Sequence, residues 1–276
     1  CFSIFGTEIA FSFLKRINMK KIILLLVLFV TTNSFVEQEN AYTTGEWFRL
    51  RIHYGIVNAG YATLEVKEAL KNNKKVHHVI GKGWTTGMTK FFFNVDDNYE
   101  SYFDKQSSKP YQFIRKIDEG GYTKNQEGFF NHEKNTVIVK DYKKKTEKNF
   151  SVPENVQDIV SSFYYLRNHP SINKLKAGDY IAVDMFFDEE TTKFKLKYLG
   201  KEDVNTKFGK VPCMIFKPYV QTGRVFKEEE SLTVWISDDD NKIPIKIKAN
   251  LLVGSLKAEI DAFKGLKNSF KVKVEK

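Results

Sequence analysis

Apolar and polar residues alternate with a period of two along most of this chain, and in one stretch they take the three-and-four spacing of a helix. Trp47–Tyr54 sets the pattern: Phe48, Leu50, Ile52 and Tyr54 point one way, Arg49, Arg51 and His53 the other, as in a strand with one buried face. Residues 55–60 contain Gly55 and Gly60 and can reverse the chain. Ala62, Leu64 and Val66 then carry the alternation back, so the pair predicts a hairpin. Further strands are predicted at 75–83, 99–104, 111–118, 122–130 and 136–142, with a looser, glycine-punctuated segment at 84–90 before Phe91-Phe92-Phe93. A second series covers 180–187, 193–200, 208–219, 231–236, 243–249, 254–263 and 270–274.

Between the two series, Val156, Ile159, Val160, Phe163, Tyr164 and Leu166 fall on one side of a helix predicted at about 155–168. Ser151 with Glu154, or alternatively Asn155 with Asp158, has the spacing of a capping box. Asn168-His169-Pro170 ends the helix, because a residue before proline avoids helical geometry. A short helical turn follows at 172–176. The fold class is therefore mainly β: a large curled antiparallel sheet, as a barrel, half-barrel or two-sheet arrangement, with one principal helix.

Composition adds a location. Met19-Lys20-Lys21, the nine apolar residues 22–30 and the small polar residues 31–34 have the charged start, apolar middle and small-residue end of a secretory signal, and the run is too short to span a bilayer. The expected organisation is upstream translated sequence at 1–18, a signal peptide at 19–34, and a mature β-rich domain at 35–276 without a transmembrane span, possible lobes being 35–150 and 151–276. Cys213 is the single cysteine after residue 34 and lies in an apolar run, which makes it a buried thiol and rules out an intramolecular disulfide there. The formal charge is +10 for the chain and +7 after residue 34, from 40 basic and 33 acidic residues. Most lysines alternate with apolar residues, as on the wet face of a sheet; only Lys143-Lys144-Lys145 forms a run. An exported basic chain without a nucleic-acid motif points to anionic lipid or glycan surfaces rather than nucleic acid.

Candidate chemistry is sparse. Ser161 lacks a G-x-S-x-G context, and the five histidines show no metal-binding spacing, so neither a catalytic residue, a metal nor a cofactor is assigned. Asp238-Asp239-Asp240-Asn241 reads as a tight turn between strands rather than a calcium loop. Asp158, Ser161, Tyr165 and Arg167, on the one helix, are the candidates for ligand contact.

Several spaced residues together resemble a family: Gly45-Glu46 with Tyr54-Gly55-Ile56 and Ala59-Gly60; Asp97 with Glu100-Ser101; Gln157-Asp158 with Ser161 and Tyr164–Arg167; Leu199-Gly200 with Glu202 and Gly209; and Trp235–Asp238 with Ile243-Pro244 and Gly254-Ser255. In this order the set is similar to the bacterial exported family called domain of unknown function 3108. The resemblance implies a β-rich envelope protein and supplies no catalytic residues. With 24 Phe and 13 Tyr, the curled sheet has the means to line a cavity for an acyl chain. The function expected first is noncatalytic binding of an apolar or amphipathic envelope component such as lipid. The alternatives are an envelope interaction or assembly factor, and a glycan-acting hydrolase.

Overall fold

A computed structural model describes residues 40–222, 225–228 and 232–273. The upstream segment predicted at 1–18 and the signal peptide predicted at 19–34 lie outside the described residues. Asn40–Lys276 form one compact unit, built on a single antiparallel sheet. The strands are β1 Trp47–Tyr54, β2 Val57–Lys71, β3 Lys74–Thr85, β4 Asp96–Asp104, β5 Pro110–Glu119, β6 Tyr122–Asn131, β7 Thr136–Asp141 and β8 Thr146–Ser151. After the helical segment come β9 Tyr180–Phe187, β10 Glu190–Thr206, β11 Gly209–Thr222, β12 Val225–Glu228, β13 Leu232–Ser237, β14 Pro244–Asn250 and β15 Ser255–Lys264. Their order is β8-β7-β6-β5-β4-β3-β2-β1-β15-β14-β13-β11-β10-β9, with β12 paired to β11.

This order has a simple origin. Strands β1–β8 and β9–β15 form two runs in which each strand folds back on its predecessor, except that β13 pairs with β11 past β12, and the last strand then docks on the first, Leu50 facing Ile260. Only that docking needs distant parts of the chain. The sheet stays open, with β8 and β9 as edges, and it curls because bulges bend it. One is at Tyr198/Gly200, where Gly200 at φ +130° takes the conformation the extra residue demands. Another lies between Arg49 and Leu50.

Helix α1, Gly87–Phe92, and helix α2, Ile159–Arg167, interrupt the strands, and a 3₁₀ turn, Ile172–Lys174, follows α2. Helix α2 is shorter than the spacing predicts. Val156 and Gln157 are not helical: Gln157 N–H bonds Asp184 O at 2.9 Å, and Phe186 N–H bonds Gln157 O at 2.8 Å. The cap is Asp158 itself, whose carboxylate accepts from Val160 and Ser161 N–H while Ser161 Oγ accepts from Asp158 N–H. Neither Ser151/Glu154 nor Asn155/Asp158 plays that part. Residues 146–151, where the spacing predicts no strand, form the edge strand β8, and 270–273 of the strand predicted at 270–274 is irregular apart from one bridge between Lys210 and Lys273.

The core lies on the concave face. Val160 and Tyr164 of α2 pack with Val66, Val79 and Phe103 of β2–β4, while Leu166 packs with Ile181, Tyr198, Met214 and Phe216 from β9–β11. Each such side chain contributes about 1.5–3 kcal/mol on burial. The helix therefore braces both halves of the curl.

Candidate functional site

Helix α2 is fixed at both ends by buried charge. At its start Asp158 accepts from Ser101 Oγ at 2.5 Å as well as from the two backbone amides. Burial outweighs these bonds and pushes the Asp158 carboxyl up to about 6. At its end Arg167 donates Nη1 and Nη2 to Glu46 at 2.6 and 2.7 Å, and Nε to the Asn241 carbonyl at 2.9 Å. Glu46 stands just before β1 and Asn241 in the β13–β14 turn, so this pair closes one end of the curl. We call that end the base.

Along the helix two residues of the apolar stripe are less deeply buried than the rest, although Phe163 still packs edge-on against Phe48 and Tyr164. Phe163 is half-buried, and Ile159 is 39% exposed. Both line a cavity of about 360 Å³ whose wall also includes Leu50, Leu64, Met185, Phe194, Leu196 and Ile247, with Leu166 and Arg167 on the helix side. An adjoining groove of about 300 Å³ shares Leu64, Ile159 and Phe163 and continues along Ala62, Gly81, Gly83, Asp97 and Tyr99. Their volumes fall in the range of about 300–1,000 Å³ typical of small-ligand sites.

The groove owes its space to missing side chains. On β3, Gly81 and Gly83 face Leu64 and Ala62 across the β2 pairing, and a Cβ built on Gly83 would meet nothing within 4 Å. A polar group stands at this edge. Asp97, pushed to about 6 by burial and the neighbouring Glu119, borders the groove, and Lys82, between the two glycines, turns its side chain to the opposite face of the sheet.

The four residues singled out on the helix have distinct places. Asp158 and Ser161 hold its first turn, Tyr165 packs against the cluster around Ile181 and meets the His169 ring edge-on at 5.8 Å, and Arg167 pairs with Glu46. Of these, Arg167 borders the larger cavity. The residues that form most of its wall escaped the sequence reading, because a cavity-lining Phe and a packed Phe carry the same alternating signal. Gly81 and Gly83, two small residues on the inward face of a strand, were the available clue. Cys213 is buried, and desolvation pushes its thiol up to about 12, which keeps it protonated. Among the described residues no helix is long and apolar enough to cross a membrane.

Fold and cavity together define an open, barrel-like β protein with a helix braced inside it. One solved structure bears out that class. A beta-barrel-like protein of domain of unknown function DUF1849 from Brucella abortus is similar with a TM-score of 0.56 at 10% identity, covering 82% of this chain and 100% of that one. A candidate lipoprotein from Parabacteroides distasonis (TM-score 0.35, 9% identity, 82% and 98% covered) and a candidate exported protein with a YmcC-like fold from Bacteroides fragilis (0.32, 7%, 81% and 97%) are too distant in three dimensions to inform it. No curated protein matches the chain in sequence. The chain belongs to the family DUF3108, proteins of unknown function, whose profile matches residues 49–261.

Proposed function

We propose that this protein is a noncatalytic carrier of the bacterial cell envelope that holds an apolar or amphipathic molecule, such as a lipid, between helix α2 and the concave face of the sheet. The observation that carries this reading is the cavity, walled mostly by aliphatic and aromatic side chains, and the groove that continues it. A hydrocarbon tail entering them leaves water without stranding a polar group. The carboxyl at the groove edge, Asp97, offers a contact for a polar head. Arg167 forms part of the floor but is already paired, so it shapes the cavity rather than competing for a ligand charge. The export signal at 19–34 supports an envelope location.

Gly83→Phe tests the reading, since a Cβ at this position meets nothing within 4 Å, the ring adds volume to the groove, and the change replaces a residue that weakens strands. Uptake of a fluorescent fatty acid is expected to fall about tenfold, with the urea midpoint nearly unchanged. Solvent extraction of the purified parent protein, followed by mass spectrometry, is expected to release lipid. A parent that carries none and takes up no probe would refute the carrier reading. A second reading, pairing with another envelope protein, is favoured by strand β8, an outer edge of the sheet with mostly exposed side chains.

A further inference from the structure

In an antiparallel meander every second connection emerges at the same end. Opposite the base, this places the β14–β15 turn, the β1–β2 turn and the β3–β4 connection side by side. Tyr54 Oη confirms the first contact by donating to Val253 O at 2.8 Å, and Thr86 N–H bonds Ala59 O at 3.0 Å to join the next. With neighbouring strands about 4.8 Å apart, the three tips stand about 10 Å from one another in a row.

All three tips are apolar. Ile56 and Leu252 are fully exposed, and Phe91 and Phe92 are 87% and 77% exposed. Met88 and Val253 are also exposed. Helix α1 buries none of its residues, so the fold itself has no use for its aromatic side chains. Clustered exposure of this kind marks an interaction surface.

Charge on the same end identifies the partner. Lys90 lies within α1, and Lys143, Lys144 and Lys145 form the β7–β8 turn, which the register brings to this end as well. All four lysines are exposed. Separate greasy tips in a row, with Lys90 among them and the three-lysine turn further along the same end beyond the β5–β6 turn and its Glu119, match an apolar layer lying beneath an anionic layer. We propose that this rim is a membrane-docking edge, whose Phe91, Phe92, Ile56 and Leu252 enter the outer part of an anionic phospholipid bilayer while Lys90 and Lys143–Lys145 meet its headgroups. This rests on the exposed loops and not on the cavity.

The test is co-sedimentation of the purified chain with vesicles of phosphatidylcholine containing 30% or no phosphatidylglycerol. Comparing variants of one chain makes any contribution from residues before Asn40 common to all. Phe91→Ser/Phe92→Ser and Leu252→Asp are each expected to lower partitioning about tenfold. Replacing Lys143–Lys145 with glutamate is expected to remove the preference for phosphatidylglycerol. The circular dichroism of these variants should match the parent, because the side chains are exposed. In the Phe92→Trp variant, brominated lipid should quench additional fluorescence relative to the parent. Equal binding by parent and tip variants, no added quenching, or capture of an envelope protein by the rim without vesicle binding would each overturn the proposal. A parent chain that takes up fatty acid but binds no vesicles sinks this edge alone, whereas a parent that docks on vesicles but takes up no fatty acid sinks the carrier reading alone.

Discussion

His77 shows how a single side chain couples this fold to pH. It lies buried on the inner face of β3 between the rings of Tyr42 and Phe103, at 5.3 and 5.6 Å, and its Nδ1 has no hydrogen-bond partner. Burial depresses its pKa to about 4, against about 6.5 in an unfolded chain. The unfolded state therefore takes up a proton that the folded state refuses. The stability associated with neutral His77 is present above pH 6.5 and is lost as pH falls from there towards 4. Asp158 and Asp97, each raised to about 6, have the opposite sign: their contribution is present below about pH 4 and fades as pH rises to 6. His77→Phe isolates the histidine. Relative to the parent, the variant should gain on the order of 3 kcal/mol between pH 7 and pH 4, read by urea unfolding at several pH values. A difference independent of pH would show that the histidine is not depressed. Strand membership of His77 was legible from alternation, while its inward direction and the aromatic cage were not, since Val76 and Val79 on opposite faces are both buried and Tyr42 lies outside any strand.

Among the elements, α2 was the most legible and α1 the least. The apolar stripe of α2 is local, so periodicity locates it. Its first residue depends on a competition that periodicity does not register, between Asp158 capping the helix and Gln157 pairing with β9. Its far end depends on Glu46, 121 residues away from Arg167. Removing the guanidinium leaves a buried carboxylate unpaired, so Arg167→Met should cost about 3–5 kcal/mol in urea unfolding. Combining it with Glu46→Gln should recover much of that loss, since the remaining group is neutral. A double variant no more stable than Arg167→Met would show that packing rather than charge decides the site. Strand β8, with mostly exposed side chains, and α1, with no buried residue, escaped recognition for one reason: neither has a buried face to impress a period on its sequence.

At the scale of the molecule the open sheet is held in its curl by contacts between its two edge regions. Phe186 of β9 packs with Phe113, Phe130 and Phe150 from β5, β6 and β8. In the β9–β10 turn Asp188 pairs with Arg115 at 2.7 Å and with Lys124, while Glu189 pairs with Lys148 of β8 at 2.6 Å. Gly128 contributes by lacking a side chain, since a Cβ there would collide with the Phe113 ring. The ion pairs are partly exposed and modest in strength, yet they stand where the curl would open. Asp188→Ala/Glu189→Ala should raise amide exchange at Gln157 and Phe186 about tenfold, leaving the β1–β15 pairing unchanged. Uniform exchange in both regions would argue against a separate opening of this seam.

The sequence by itself determined the local facts: strands in succession, one buried helix, an inert cysteine and the family to which the chain belongs. Those follow from periods of two and three to four, from turn residues and from spacing, all of which act over a few residues. Tertiary structure alone decided that β15 docks beside β1, that Ile159 and Phe163 face a cavity while Val160 and Tyr164 are packed, and that the bare tips share one end. Such features depend on contacts between residues up to about 200 positions apart, where the same apolar side chain serves equally as core, cavity wall or exposed tip until the sheet has curled.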